Sequence, residues 1–134
     1  MTLVEIRDAI VTRALDGYAA AFPDIPLVTE NSPFDYNNPP DTFAELDIEF
    51  HDGKQMNIAV DPKTRYHGCV YLTVTTREGK GTRAALALLD WGAGQLGYYR
   101  TLRLHLQAPE PHETQHPKGW YSKALKVDFY ADPT

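Results

Sequence analysis

Cysteine is almost absent from this chain: Cys69 stands alone among 134 residues. No internal disulfide is possible, so a packed core must hold the fold. Set in the apolar run Cys69-Val70-Tyr71-Leu72, this cysteine reads as a small buried side chain. Long apolar runs are missing as well, and nothing approaches the roughly 20 residues needed to cross a bilayer. The opening MTLVEIRD carries acids where a secretory signal has a basic start and an apolar centre, so a soluble chain in a cytoplasm-like compartment is expected. Basic residues are the scarcer charge, thirteen Lys and Arg against eighteen Asp and Glu, for a net charge of −5. That balance disfavours general binding to nucleic acid or to an anionic membrane and leaves proteins as the expected partners.

Recognisable catalytic patterns are also lacking. Gly79-Lys80-Gly81-Thr82 has the look of a phosphate loop, but Gly81 follows Lys80 where the magnesium-binding hydroxyl belongs, and Val74 occupies the first glycine position. The glycines read as a strand-to-helix turn. His112 and His116 have zinc-like spacing, yet Pro109, Pro111 and Pro117 oppose the helix that would align them, and Cys69 is remote in sequence. No Ser or Cys sits in a Gly-x-Ser-x-Gly setting. The expectation is a non-enzyme with no cofactor and no metal.

What is present is organised around one stretch. The β-branched and aromatic run VYLTVTT predicts a strand, which passes through Gly79 and Gly81 to a helix, RAALALLDWGAGQL, with Thr82 as its cap. At about 3.6 residues per turn, Leu86, Leu89, Ala93 and Leu96 share one face, while Ala84, Ala87 and Trp91 lie nearly opposite. A helix apolar on both sides is covered on both sides. A second subunit docked on Ala84, Ala87 and Trp91 satisfies this, and so does a loop of the same chain folded over Trp91.

In chain order, Thr2 and Glu5 form a capping box, and Leu3, Ile6, Ile10, Ala14 and Tyr18 share a stripe, predicting a helix over residues 2–21. Leu27-Val28-Thr29-Glu30 reads as a short strand between Pro26 and the turn former Asn31. NSPFDYNNPPD, residues 31–41, predicts an irregular loop whose Phe34 and Tyr36 either contact a partner or fold back on the core. From Ala44, Leu46, Ile48 and Phe50 alternate with Glu45, Asp47 and Glu49, a strand with one wet acidic face. Asp52-Gly53 signals a hairpin to a strand with Met56, Ile58 and Val60 inward. Leu102, Leu104 and Leu106 alternate with Arg103, His105 and Gln107 in the next strand. A proline-rich loop over residues 108–119 leads to a last strand containing Leu125, Val127 and Phe129.

The order α-β-β-β-β-α-β-β predicts a single α+β domain over residues 1–134, a mostly antiparallel sheet with two helices packed on one face. This order, with EGKGTRAALALLDW leading into the second helix and GWYSKALKVDFYA closing the chain, resembles the tail terminator proteins of long-tailed bacteriophages. The resemblance covers nearly the whole chain. It implies a homo-oligomeric, typically hexameric ring in the virion tail, assembled in the cytoplasm of a bacterial host. Such a ring caps the tail tube, stops its polymerisation and presents a surface to the head-completion protein of the neck. On this reading Ala84, Ala87 and Trp91 form the contact between copies. Phe34, Tyr36, Glu45, Asp47, Glu49, Arg100 and Arg103 supply the partner-binding surface, with charges of both signs. Another neck or tail component of the same fold, or a small-molecule-binding α+β domain, are the alternatives.

Overall fold

The computed structural model describes residues 1–51, 53–56 and 63–133. The elements are α1 (Leu3–Leu15), α2 (Tyr18–Ala21), β1 (Leu27–Thr29), β2 (Thr42–Phe50), β3 (Lys54–Gln55), β4 (Thr64–Arg77), α3 (Arg83–Leu96), β5 (Leu104–His112) and β6 (Trp120–Ala131). This is the α+β architecture expected from the pattern. The strands lie in the order β1-β2-β4-β6-β5, with β3 attached to the end of β4. All pairings are antiparallel except the parallel pair of β1 with β2.

β4 is central because its fourteen residues pair with β2 on one side and β6 on the other. Its even-numbered Val70, Leu72 and Val74 register with Ile48, Leu46 and Ala44 of β2 and, for Val70 and Leu72, with Val127 and Leu125 of β6. These apolar positions meet Ile6, Ile10 and Ala14 of α1 and Ala85, Leu88, Leu89 and Leu96 of α3 in one core. Alternation along the strands and helical spacing on α1 and α3 thus converge on a single face of the sheet. At Gly92 the helix comes so close that an added Cβ would lie 2.4 Å from Leu72 Cδ2. A larger residue there would have to displace the Leu72 side chain.

The first helix starts as expected: the Glu5 amide donates to Thr2 Oγ1 (3.1 Å) and the Thr2 amide to Glu5 Oε1 (3.0 Å). It stops sooner, at Leu15, because Asp16 is extended and Gly17 turns left-handed at φ 77°. The chain resumes as the single turn α2, which buries Tyr18 and lets its hydroxyl donate to the Ile25 carbonyl (2.8 Å). Burial pushes that phenol up to about 12. Leu3, expected on the buried stripe, is 45% exposed because the stripe enters the core only from Ile6.

Other expectations are corrected. In α3 the buried residues are Ala85, Leu88, Leu89, Gly92 and Leu96, and Leu86 is 44% exposed. The buried stripe is therefore turned by about one residue from the predicted one, since close approach selects the side bearing Gly92. Thr82 holds the cap position but its side chain makes no capping bond. Leu102 is not in a strand. It sits 88% exposed in a turn closed by Thr101, whose amide donates to the Leu104 carbonyl (2.8 Å) and whose Oγ1 accepts from the Leu104 amide (3.1 Å).

The predicted loop after this strand is partly strand too. β5 continues through Pro109 and Pro111 to His112. It is the edge strand, and the two prolines share one parity, so their missing N–H groups fall on one side of the strand. A register shift between Leu106 and Pro109 sets that parity. β3 is only two residues long and Met56 is 46% exposed, since no helix among the described residues covers that extension. Asp52, Ile58 and Val60 lie outside the described residues.

Candidate functional surface

With both long helices on one side, the opposite face of the sheet carries no helix among the described residues. It is built from the odd-numbered residues of β2 and β4 and the even-numbered residues of β6, which share a face by register: Glu45 with Thr73, Asp47 with Tyr71, Glu49 with Cys69, then Thr73 with Ala124, Tyr71 with Lys126 and Cys69 with Asp128. The acidic row Glu45, Asp47 and Glu49 is on this face, as the alternation implies. Asp47 is held above the usual carboxylate range by partial desolvation first, then by Glu30 and Glu45 nearby. Tyr71 is pushed up to about 12 by its hydrogen bond with Cys69 and by desolvation.

At one end of this face Phe34 and Tyr36 fold back from the loop. Their ring centroids lie 5.0 Å and 6.4 Å from that of Phe43, and Trp120 completes the cluster 5.9 Å from Phe43. Phe34 is half-buried, whereas Tyr36 is 58% exposed and donates to Glu45 Oε2 (3.0 Å). The Arg77 guanidinium lies 4.5 Å over the Trp120 ring while its Nε donates to Asp41 Oδ1 (2.7 Å). Charge, stacking and apolar contact therefore fix one end of the loop over residues 31–41. In the sequence Trp120 stands out only within the closing motif, and neither it nor Arg77 is marked there as a binding residue. Only the β4–β6 register, which sets Arg77 opposite Trp120, identifies them.

At the other end, His105 stacks on Tyr130 at 4.6 Å and 18°, and the Arg65 guanidinium lies 4.7 Å from the same ring. Arg65 Nε also donates to Asp132 Oδ1 (2.7 Å). Arg100 and Arg103 belong to this flank. The Arg100 backbone forms a β-bridge with His105 and the Arg103 side chain donates to the Pro133 carbonyl, which sets both beside β5 and not beside the acidic row on β2. Two strands, β4 and β6, intervene, a separation of about 14 Å or more.

Trp91 has an intramolecular cover. It meets Tyr18 at 5.6 Å and 70° and Phe22 at 5.8 Å and 82°, edge-to-face contacts made by the segment after α1. The chain's own aromatic residues occupy the place the sequence offered to a second subunit. Ala84 and Ala87 remain exposed, together with Leu86. Leu86 flanks a cleft of about 430 Å³ between α3, β5 and β6, whose walls include Leu89, Pro111, Tyr121, Lys123 and Leu125. His112 and His116 pack separately, against Tyr71 (5.1 Å) and Tyr121 (5.5 Å). The turn through Gly79 (φ 92°) and Gly81 (φ 77°) is the left-handed turn expected there, and Lys80 reaches Asp41 at 3.7 Å.

A third group lies midway along the helix-free face. Glu49, His51 and Cys69 bring an oxygen, a nitrogen and a sulfur within 4.8 Å of one another. Burial is the main cause holding the Cys69 thiol above its ordinary range.

No protein-family model and no curated protein matches the sequence. A solved structure whose name states no activity shares the fold, with a TM-score of 0.69 over 100% of this chain and 98% of that one, at 15% identity.

Proposed function

We propose that the chain is a ring-forming tail terminator of a long-tailed bacteriophage, a structural protein without chemistry of its own. The observation that favours this reading is the helix-free sheet face. It runs across the main strands, carries charges of both signs, and is bounded at one end by the Phe34, Tyr36, Phe43 and Trp120 cluster. A wide, mixed surface of this kind suits recognition of a repeated protein surface such as the end of a tail tube. A small-molecule-binding domain would want space between sheet and helices. Here the layers meet without a gap at Gly92 and Leu72, and the cleft of about 430 Å³ between α3, β5 and β6 is the feature that favours this alternative.

In this proposal the contact between copies of the ring uses Leu86 with Ala84 and Ala87, rather than Trp91. The tail-tube protein and the head-completion protein are the partners, and assembly takes place in the host cytoplasm before the ring joins the virion tail. The test is electron microscopy of tails made with Glu45, Asp47 and Glu49 all replaced by Gln. Overlong tubes lacking heads are expected; tails of normal length joined to heads would remove the acidic row from the site. Leu86→Glu should lower the mass of any assembled ring by light scattering without unfolding the subunit, and an unchanged mass would reject that contact.

A further inference from the structure

Cys69 is fully buried in the central strand, yet it does not face the helices. The register pairs it with Glu49, and the next pair along the same face is His51 with His67, whose backbones bond directly (His51 N to His67 O, 2.7 Å). On the helix-free side the thiol is therefore met by side chains from the end of β2. His51 Nε2 lies 3.9 Å from Cys69 Sγ and 3.2 Å from Glu49 Oε1. These two separations approach the S–N and N–O edges of a tetrahedron around a metal ion, and the sulfur–oxygen pair lies within 4.8 Å. Bond lengths of about 2.3 Å to sulfur, 2.05 Å to nitrogen and 2.1 Å to oxygen give edges of about 3.6 Å for S to N and about 3.4 Å for N to O.

The donors are also of a matched kind. A thiolate and an imidazole favour a borderline-soft cation over magnesium or calcium, which take oxygen ligands. The two outer side chains are 46% and 57% exposed, so shifts of a few tenths of an ångström are open to them, while the sulfur is fixed by the sheet. Beside them, His67 holds its Nε2 buried with no hydrogen-bond partner among the described residues.

We infer that Glu49, His51 and Cys69 form a site for one zinc-class divalent cation, which ties the end of β2 to the central strand. Three protein ligands leave a fourth position for water or for a donor from a bound partner. The site shares Glu49 with the acidic row of the proposed assembly surface, but the measurements below need no tail and no ring, so each reading can fail without the other.

The test uses the full chain without affinity-tag histidines, reduced and stripped of metal. Zinc titrated by calorimetry should bind once per chain, and cobalt should give a thiolate-to-metal charge-transfer absorption. Zinc at 100 times its Kd should raise Tm by about 10 °C. His51→Gln, at an exposed position, should weaken binding by about 100-fold with the fold intact. Cys69→Ser should abolish the cobalt absorption, and if that variant does not fold, His51→Gln alone decides. Failure of wild type to bind zinc at about 100 μM free metal would overturn the site. So would affinity and stoichiometry left unchanged by His51→Gln.

Discussion

Replacing Trp91 with alanine tests the reassignment of this residue from an intermolecular to an intramolecular role. Its indole is mostly covered by Tyr18 and Phe22, both in edge-to-face geometry at under 6 Å. A tryptophan can bury about 200 Å², and at about 25 cal/mol per Å² covering two-thirds of it stabilises by roughly 3 kcal/mol. The two aromatic contacts add about 0.5–1 kcal/mol each, and part of the total is retained by the alanine and by relaxation of Phe22. A net loss of about 3 kcal/mol is expected. With a urea slope of about 1.5–2 kcal/mol per molar for a domain of this size, the unfolding midpoint should fall by about 1.5–2 M. Urea unfolding followed by far-ultraviolet circular dichroism measures this directly. A loss under about 1 kcal/mol, accompanied by dissociation of an oligomer, would refute the reasoning and return Trp91 to the surface between copies.

Three further outcomes are expected. Gly68→Ala would place a Cβ 2.2 Å from the Glu49 carbonyl oxygen and 2.7 Å from Phe129 Cζ, so β2 or β6 must shift; a loss of about 2 kcal/mol or more is expected by thermal unfolding. Asp47 has a folded pKa raised by desolvation and by Glu30 and Glu45, so its contribution to stability is present below the carboxylate range and lost as pH rises through the folded value. Asp47→Asn should therefore stabilise the chain by up to about 0.5 kcal/mol at pH 7 and show no gain near pH 3, compared by unfolding at both pH values. Thr2→Ala removes the acceptor for the Glu5 amide and should cost about 1 kcal/mol, with fraying of α1 visible as faster amide exchange in its first turn.

Local pattern was enough for most element types and for the inward faces of the main strands. Alternation of Leu46 and Ile48 with Glu45, Asp47 and Glu49 leaves one register that buries leucine and wets carboxylate, and slipping by one residue would invert it. The capping box at Thr2 and the turn glycines Gly79 and Gly81 are likewise local, requiring only neighbouring residues. What depends on distant residues needed the tertiary structure. Trp91 could be assigned a cover only once Gly17 had broken the first helix and brought Tyr18 and Phe22 over it. Pro109 and Pro111 are compatible with a strand only because β5 lies at the sheet edge. The Glu49, His51 and Cys69 group was invisible in sequence because eighteen positions separate the histidine from the cysteine, and only the antiparallel pairing of β2 with β4 places their side chains together. Arg100 and Arg103 fell away from the acidic row for the same reason: strand order is fixed by which apolar faces can be covered together, and no local pattern encodes it.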